Sequence, residues 1–317
     1  MAQPVLSDPR FFSEEAAFEY VERQLWPDGP TCPHCGSLSE KIGRLTGVRS
    51  KASKKHPEGV EVIGLRKCYA CRGPAFTVRK GTIFEDSHLP LRMWLQAIHL
   101  LCASKKGIST RQLQRMLGCG MKTAWHLGHR IRKMMEPHEG SSPLGGPGKT
   151  VEADDTQIIK SVKTKKPPRE MRPPNVQVLS LVERGGELRS VMIDHRGIRP
   201  HLQKMAHHKS RLVTDRAKTF QHQGFAEHET VDHSVFEWAR DDVHTNTLEG
   251  FFSVLKRGLI GVYQHVDEKH LDRYLAEFDF RYNTRAKLNI NDVQREAMAI
   301  QGAPGRRLTY QTTNSEA

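Results

Sequence analysis

Two CxxC pairs constrain this chain more than any other feature. Cys32-Pro33-His34-Cys35 and Cys68-Tyr69-Ala70-Cys71 are separated by 32 residues. A CxxC turn aims two thiolates at one point, and two such turns complete the tetrahedron that Zn²⁺ prefers, with each sulfur ~2.3 Å from the metal. The separation exceeds the usual ~15–20 residues of such fingers. The excess falls in Arg49 to Gly59, where Lys51, Lys54, Lys55, Pro57 and Gly59 read as a solvated loop between two short strands. A zinc ribbon tolerates that insertion. A thioredoxin-like redox pair accounts for one CxxC but leaves the second unexplained. His34 and His56 are weaker ligand candidates, and Cys102 and Cys119 read as buried thiols.

Charge narrows the partner. The 317 residues carry 49 Lys and Arg against 36 Asp and Glu, a formal charge of +13. No apolar run approaches the ~18 residues of a membrane span. Met1 to Tyr20 shows no basic region followed by an apolar one, so the expected location is the cytoplasm, associated with the nucleoid, where disulfides are not expected. From His88 to Met135 there are nine Lys or Arg and no acid. Within that stretch Ile108 to Leu117, Gly118-Cys119-Gly120 and Met121 to Arg132 read as helix, turn, helix, with Ser109 as a cap and Ile108, Leu113, Leu117, Ala124, Leu127 and Ile131 as the apolar seam. In the DNA-binding version the second helix reads base edges, which nominates Lys122, Thr123 and His126. Arg111, Arg115, Arg130 and Arg132 are the expected phosphate contacts.

Glu136 to Thr150 holds four glycines and three prolines and reads as a linker. Beyond it, Thr150 to Asp155 is strand-like, and Val176 to Glu183 and Glu187 to Asp194 form a hairpin across Gly185-Gly186. Arg199 to His208 reads as helix, Arg211 to Asp215 as strand, Ala217 to His222 as helix, Val231 to Val235 as strand, and a long helix starts near Asn246. The order is that of an α/β layer with a mixed sheet. Lys160 to Arg172 carries six Lys or Arg against one Glu and reads as an exposed, phosphate-contacting arm.

Asp154, Asp215 and Glu249 fall at a strand, a strand tip and a helix start, where carboxylates can converge on Mg²⁺. Pattern alone leaves Glu152, Asp155, Asp194, Asp241 and Asp242 as rivals, and Asn246 to Glu249 also fits a helix capping box.

The segment His244 to Gly258 (HTNTLEGFFSVLKRG), continued by Ile260 to Val266 and His270 to Asn283, resembles the catalytic block of ISXO-like bacterial insertion-sequence transposases, the zinc-ribbon-bearing DDE group. The CPHCG and CYAC knuckles, Arg79 to Phe84 and the Lys122 to Trp125 helix are similar to their counterparts there. The resemblance covers roughly residues 15 to 290 and implies a ribonuclease-H-like fold. Carried over, the valine-glutamate-apolar-aspartate strand of the family falls on Val151 to Asp154, which makes Asp154 the first catalytic acid, Asp215 the second and Glu249 the third, at intervals of 61 and 34 residues. Lys256, two helical turns beyond Glu249, matches a family position and implies a phosphate contact beside the metals. The chain departs from the family after the first acid, where Asp155-Thr156-Gln157-Ile158-Ile159 replaces an acid, an aromatic residue and a glycine pair.

These observations together predict an α/β, ribonuclease-H-like mixed-sheet catalytic domain preceded by a zinc ribbon and a helix-turn-helix. The expected boundaries are 1–87 for the ribbon with an N-terminal helix, 88–136 for the helix-turn-helix, 137–149 for the linker, 150–301 for the catalytic domain and 302–317 for a disordered tail. The expected activity is a DNA transposase using Mg²⁺ or Mn²⁺ at Asp154, Asp215 and Glu249, with Cys32, Cys35, Cys68 and Cys71 holding structural Zn²⁺. Its partners are double-stranded DNA, as terminal inverted repeats and as target, and further copies of itself in a homodimer or larger synaptic assembly. The alternatives are a non-catalytic DNA-binding regulator or domesticated transposase, and a nuclease that joins nothing.

Overall fold

The computed structural model describes residues 4–309 apart from 55, 139, 159–175, 222–223, 233–234, 236 and 238. Lys55, the basic arm at 160–172, His222 at the end of an expected helix, and the last eight residues of the tail therefore lie outside the described residues. The chain forms two compact units. One comprises Met1–Ala103, Thr110–Met134 and Asn291–Ala317, the other Ser104–Ser109 and Met135–Ile290.

The first unit opens with α1 (Glu14–Leu25), whose Ser13 hydroxyl accepts the Ala16 N–H as an N-cap. A two-stranded antiparallel ribbon follows, β1 (Ile42–Arg44) on β2 (Arg66–Cys68). Arg66 ties it to α1 through Glu22, with Nε and a terminal nitrogen on the two carboxylate oxygens at 3.2 and 2.5 Å. The inserted loop is a hairpin extension, closed by Ser50 N–H to Val60 O and Val62 N–H to Val48 O, both 2.8 Å. Next come α2 (Leu91–Ala103), α3 (Thr110–Leu117) and α4 (Met121–Met134). Alpha-helix α2 is the core of the unit, with Trp94, Leu95, Ile98 and Leu101 wholly buried. Between α3 and α4 lie Gly118, Cys119 and Gly120, and Gly118 takes φ +63°, a left-handed turn that favours glycine. Cys102 is buried as expected, whereas Cys119 is only half-buried.

The last helix, α8 (Asp292–Gln301), is a correction to the expected boundary at 301: it belongs to this unit. Its apolar side packs on α2, and Arg295 donates to Cys102 O at 2.9 Å. Nor does the tail start free at 302. Gly302 and Ala303 are buried, and Ile83 N–H donates to Ala303 O at 3.0 Å.

The second unit is a five-stranded sheet in the order β5-β4-β3-β6-β7. Strand β3 (Thr150–Ile158) pairs antiparallel with β4 (Val176–Glu183), which pairs antiparallel with β5 (Leu188–Met192). On its other side β3 runs parallel to β6 (Arg211–Asp215), which runs parallel to β7 (Glu227–Val231). A parallel pair needs a crossover, and α5 (Ile198–Met205) supplies it. Two further helices follow, α6 (Asn246–Gly258) and α7 (Glu268–Asn283). This mixed α/β arrangement fits a ribonuclease-H-like transposase domain.

Both faces of the sheet are covered, and the two-residue period of the strands sorts their side chains. Val151 and Ala153 of β3 join Leu179, Leu181 and Leu212 under α5. Val178 and Val182 of β4 join Leu248, Phe252, Leu255 and Phe278 of α6 and α7 on the opposite face. Helix α7 is locked to the edge strand by its buried Asp279, whose two oxygens accept the Ser190 N–H and hydroxyl, each at 2.7 Å. Burial pushes the Asp279 carboxyl up to about 7.

Three local expectations are corrected. The helix expected at 217–222 is a single 3-10 turn at Lys218–Phe220. The strand expected at 231–235 lies earlier, at Glu227–Val231, where the alternation is masked by polar residues on an edge strand, and residues 233–234 are outside the described set. The expected linker is no free tether: Leu144 is 3% exposed and pairs with Ala206, while Gly145 and Gly146 donate to Glu183 and Ser210. Its glycines serve close packing, since a Cβ at Gly145 would meet the Ser210 hydroxyl at 2.2 Å. No helix among the described residues is long and apolar enough to cross a membrane.

Candidate metal centres and nucleic-acid interface

Four sulfurs meet at the ribbon. Cys32 and Cys35 come from the turn after α1, Cys68 and Cys71 from the end of β2, and all four sulfurs lie within 4.8 Å of one another. Cys32 to Cys71 and Cys35 to Cys68 are each 3.8 Å. That is the edge of a tetrahedron whose centre is ~2.3 Å from each corner, the Zn–S length. Backbone N–H groups of His34 and Gly73 point at the Cys32 and Cys71 sulfurs. The Ser37 hydroxyl, helped by backbone hydrogen bonding, lowers the Cys35 thiol to about 6. Thiolates gathered so closely require a cation, and the donor set is that of structural Zn²⁺. His34 rests edge-on against Phe76, and among the described residues no imidazole joins the cysteines in the cluster.

The carboxylates assemble differently. The register pairs Val151 with Leu212 and Glu152 with Val213 across the parallel β3–β6 ladder. Two residues beyond the last of these pairs on each strand come Asp154 and Asp215, the latter at the carboxyl end of β6, and the charge of Asp215 is felt at Asp154. Pleating puts Asp154 on the α6 face with Glu152, while Asp155 turns away and accepts from Gln177 Nε2 at 2.7 Å. Asp215 Oδ1 accepts the Ala217 N–H at 3.1 Å, which fixes its rotamer. Glu249 stands exposed in the first turn of α6.

Electrostatics links the three acids. The Asp154 carboxyl is pushed up to about 7, first by burial, then by the charge of Asp215; the Asp155 N–H pulls the other way, and the charges of Asp155 and Glu249 add smaller upward contributions. Burial and a like charge thus both disfavour the charged form of this carboxylate. Among the described residues, however, only the cysteines close into a finished ligand set. Lys256 is exposed on α6, seven residues beyond Glu249 and so on the same side of the helix. Beside Asp215 opens a cleft of about 430 Å³ lined by Arg216, Phe220, His228 and Thr230. Its His228 imidazole is held below its ordinary value by burial and lies 2.9 Å from the Thr214 hydroxyl.

Alpha-helices α3 and α4 place the expected DNA contacts unequally. Arg111, Arg115 and Lys122 are exposed, and Thr123 and His126 are half-buried along the first turns of α4. Thr123 and His126 line a cleft of about 390 Å³ with His88 and Ser87. Arg130 and Arg132, expected on phosphate, are instead 8% and 3% exposed. Arg130 donates to the carbonyls of Ile83 and Glu85 and lies 4.9 Å from the centre of the Trp94 ring. It is a structural cation that binds α4 to the loop before α2, and charge alone could not tell it from a surface arginine.

Residues 143–283 match the ISXO2-like transposase domain, and residues 12–73 match the transposase zinc-ribbon domain. The chain thus carries a segment similar to the ISXO2-like transposase domain behind one similar to the transposase zinc ribbon. A further relative is an uncharacterized protein in transposable element ISH50 of Halobacterium salinarum, 26% identical over 295 residues that cover 86% of this chain and 91% of that protein. The two family matches take in both centres described above, the four cysteines in one and the three acids with Lys256 in the other.

The capping box expected at Asn246 to Glu249 does not form. The N-cap is Thr245, without a side-chain cap, and Asn246 is an exposed first helical residue. The start of α6 is held instead by Thr247, whose hydroxyl donates to Glu152 at 3.0 Å. The sequence placed Thr247 and His244 in the family-like segment but gave no sign of their contact with Glu152, because the Thr247 bond joins residues 95 apart. Glu152 was visible only as a rival acid; it is wholly buried and paired with Arg184 at 2.8 Å, which makes it no metal ligand.

Proposed function

We propose that this protein is a DNA transposase that binds the terminal inverted repeats of its insertion sequence and cleaves and joins DNA strands at Asp154, Asp215 and Glu249. What carries the reading is the pair of aspartates on adjacent parallel strands, with the charge of Glu249 felt at Asp154. These three acids would hold Mg²⁺ or Mn²⁺, which when bound polarises the attacking and leaving oxygens of a phosphodiester. The acids themselves orient that site on rigid elements. Lys256, on the Glu249 side of α6, positions a DNA phosphate by charge. The cleft beside Asp215 gives the nucleotide flanking the scissile bond a place to sit. In the first unit, Lys122, Thr123 and His126 face base edges from the start of α4, and Arg111 and Arg115 neutralise phosphate from α3. Two DNA ends must be joined, so a homodimer or larger assembly forms on DNA.

Purified protein incubated with a labelled element end tests this. Mg²⁺-dependent cleavage by the wild type, abolished by EDTA and by Asp215→Ala with end binding intact, is the expected result. Binding without cleavage under Mg²⁺ and Mn²⁺ alike would overturn the catalytic reading in favour of a DNA-binding regulator.

A further inference from the structure

A wholly buried carboxylate on the strand that carries the first acid needs an account. Glu152 Oε1 accepts Arg184 Nε at 2.8 Å and the Thr247 hydroxyl at 3.0 Å, and His244 Nδ1 stands 3.6 Å from the same oxygen. Arg184 also donates to His244 O at 3.2 Å, so the same guanidinium grips the strand acid and the residue two positions before α6. Oε2 of Glu152 is buried without a hydrogen-bond partner. Ion pairs of this kind contribute little net stability, because desolvation offsets their attraction, and a β-branched residue beside Val213 would fill the same strand position. What the pair does contribute is geometry.

The geometry is a closed frame. Glu152 and Asp154 stand on one face of β3, two residues and ~6.6 Å apart along a rigid strand. Thr247 and Glu249 share the first turn of α6, where the Leu248 and Glu249 N–H groups both donate to Thr245 O at 3.0 and 3.1 Å. The bond between Glu152 and Thr247 connects the two pairs. With no side-chain cap at Thr245, it is the contact that fixes where the helix begins over the strand.

We infer that Glu152 is a positioning residue: through Thr247, and with Arg184 holding it in place, it sets the first turn of α6 so that Glu249 faces Asp154. The inference rests on the reading of Asp154, Asp215 and Glu249 as a metal site, and it adds a supporting set of Glu152, Thr247, Arg184 and His244. Loss of the bond leaves every metal-binding carboxylate in place but lets α6 start in more than one position. Metal affinity and turnover then fall while DNA-end binding does not.

Thr247→Val removes the donor at nearly constant volume, and Thr247→Ser keeps it. Three readouts are taken on the full chain: hydrogen exchange at the amides of Leu248 and Glu249, Mn²⁺ binding by paramagnetic resonance titration, and cleavage rate at saturating end DNA. Thr247→Val is expected to exchange faster at those amides, to bind Mn²⁺ several-fold more weakly and to cleave about tenfold more slowly, with an unchanged Kd for the end. Thr247→Ser restores most of each. Glu152→Leu combined with Thr247→Val is expected to be little worse than Glu152→Leu alone, since Thr247 acts through that carboxylate. Equal exchange, Mn²⁺ affinity and rate in Thr247→Val and Thr247→Ser would overturn the inference, as would additive losses in the double variant. If the wild type neither binds Mn²⁺ nor cleaves, the functional reading fails, and the exchange arm alone decides whether Glu152 holds α6.

Discussion

The two centres of this chain are built by opposite routes. The cysteine centre is local: two tight turns on a short ribbon bring four sulfurs within 4.8 Å of one another. The proposed carboxylate centre is topological: Asp154 and Glu249 lie 95 positions apart in sequence, one on β3 and the other on the helix α6 that packs against it. The first is finished by its own hairpin and awaits a structural ion. In the second, burial and then the charge of Asp215 push the Asp154 carboxyl up to about 7. A closed ligand set suits a metal that never leaves, and an open acidic one suits a metal that must also meet substrate.

The largest effect should come from breaking the local centre. Cys68→Ser, or chelation of zinc, is expected to unfold the ribbon and abolish end binding, because metal binding at such a site is folding free energy. Loss of the zinc stoichiometry with an intact ribbon in circular dichroism and proteolysis would contradict that.

Breaking the open centre should have the contrary sign on stability. Folded Asp154 keeps its proton to about 7 against an ordinary value of 3.8, so the folded state binds more protons between those limits. The stability this gives is full below about pH 4 and is lost as pH rises through 7. Asp154→Asn is therefore expected to stabilise the metal-free protein at pH 8, by up to ~4 kcal/mol, and to do little at pH 4. Mg²⁺ at pH 8 should raise the melting temperature of the wild type and not of the variant. Thermal denaturation in EDTA and in Mg²⁺ at both pH values reads all of this, and a destabilised Asp154→Asn at pH 8 would refute it.

The smallest effects separate the arginines. Arg111→Ala and Arg115→Ala are each expected to weaken end binding a few-fold and to flatten the slope of log K against log salt by about 1. Arg130→Met should leave that slope alone and lower the melting temperature, since its guanidinium serves buried carbonyls. Binding measured at several salt concentrations distinguishes the two behaviours.

The same contrast governs what could be read from the sequence. Spacing alone exposed the cysteine centre, and Gly185-Gly186 exposed the β4–β5 hairpin, because each is a local pattern with a local cause. The acids needed the family resemblance, since composition offered Glu152, Asp155, Asp194, Asp241 and Asp242 on equal terms. Pleating separates one of these rivals, Asp155, which faces Gln177, and packing separates another, Glu152, which is sealed beneath Thr247. Long-range packing also explains the misreadings. Leu144 docks into the core from a stretch whose glycines and prolines resemble a tether, α8 joins the first unit from the far end of the chain, and Arg130 is buried by residues some 45 positions away. None of these leaves a periodicity to follow.

The central claim is that three acids drawn from two strands and a helix act as one site on DNA. Its most direct test is strand transfer from a precut element end, bearing a free 3′-hydroxyl, into a target plasmid in Mg²⁺. Wild type should give joined product, and Asp154→Asn, Asp215→Asn and Glu249→Gln should each give none while still binding the end. Joined product from any one of those variants at the wild-type rate would contradict the account.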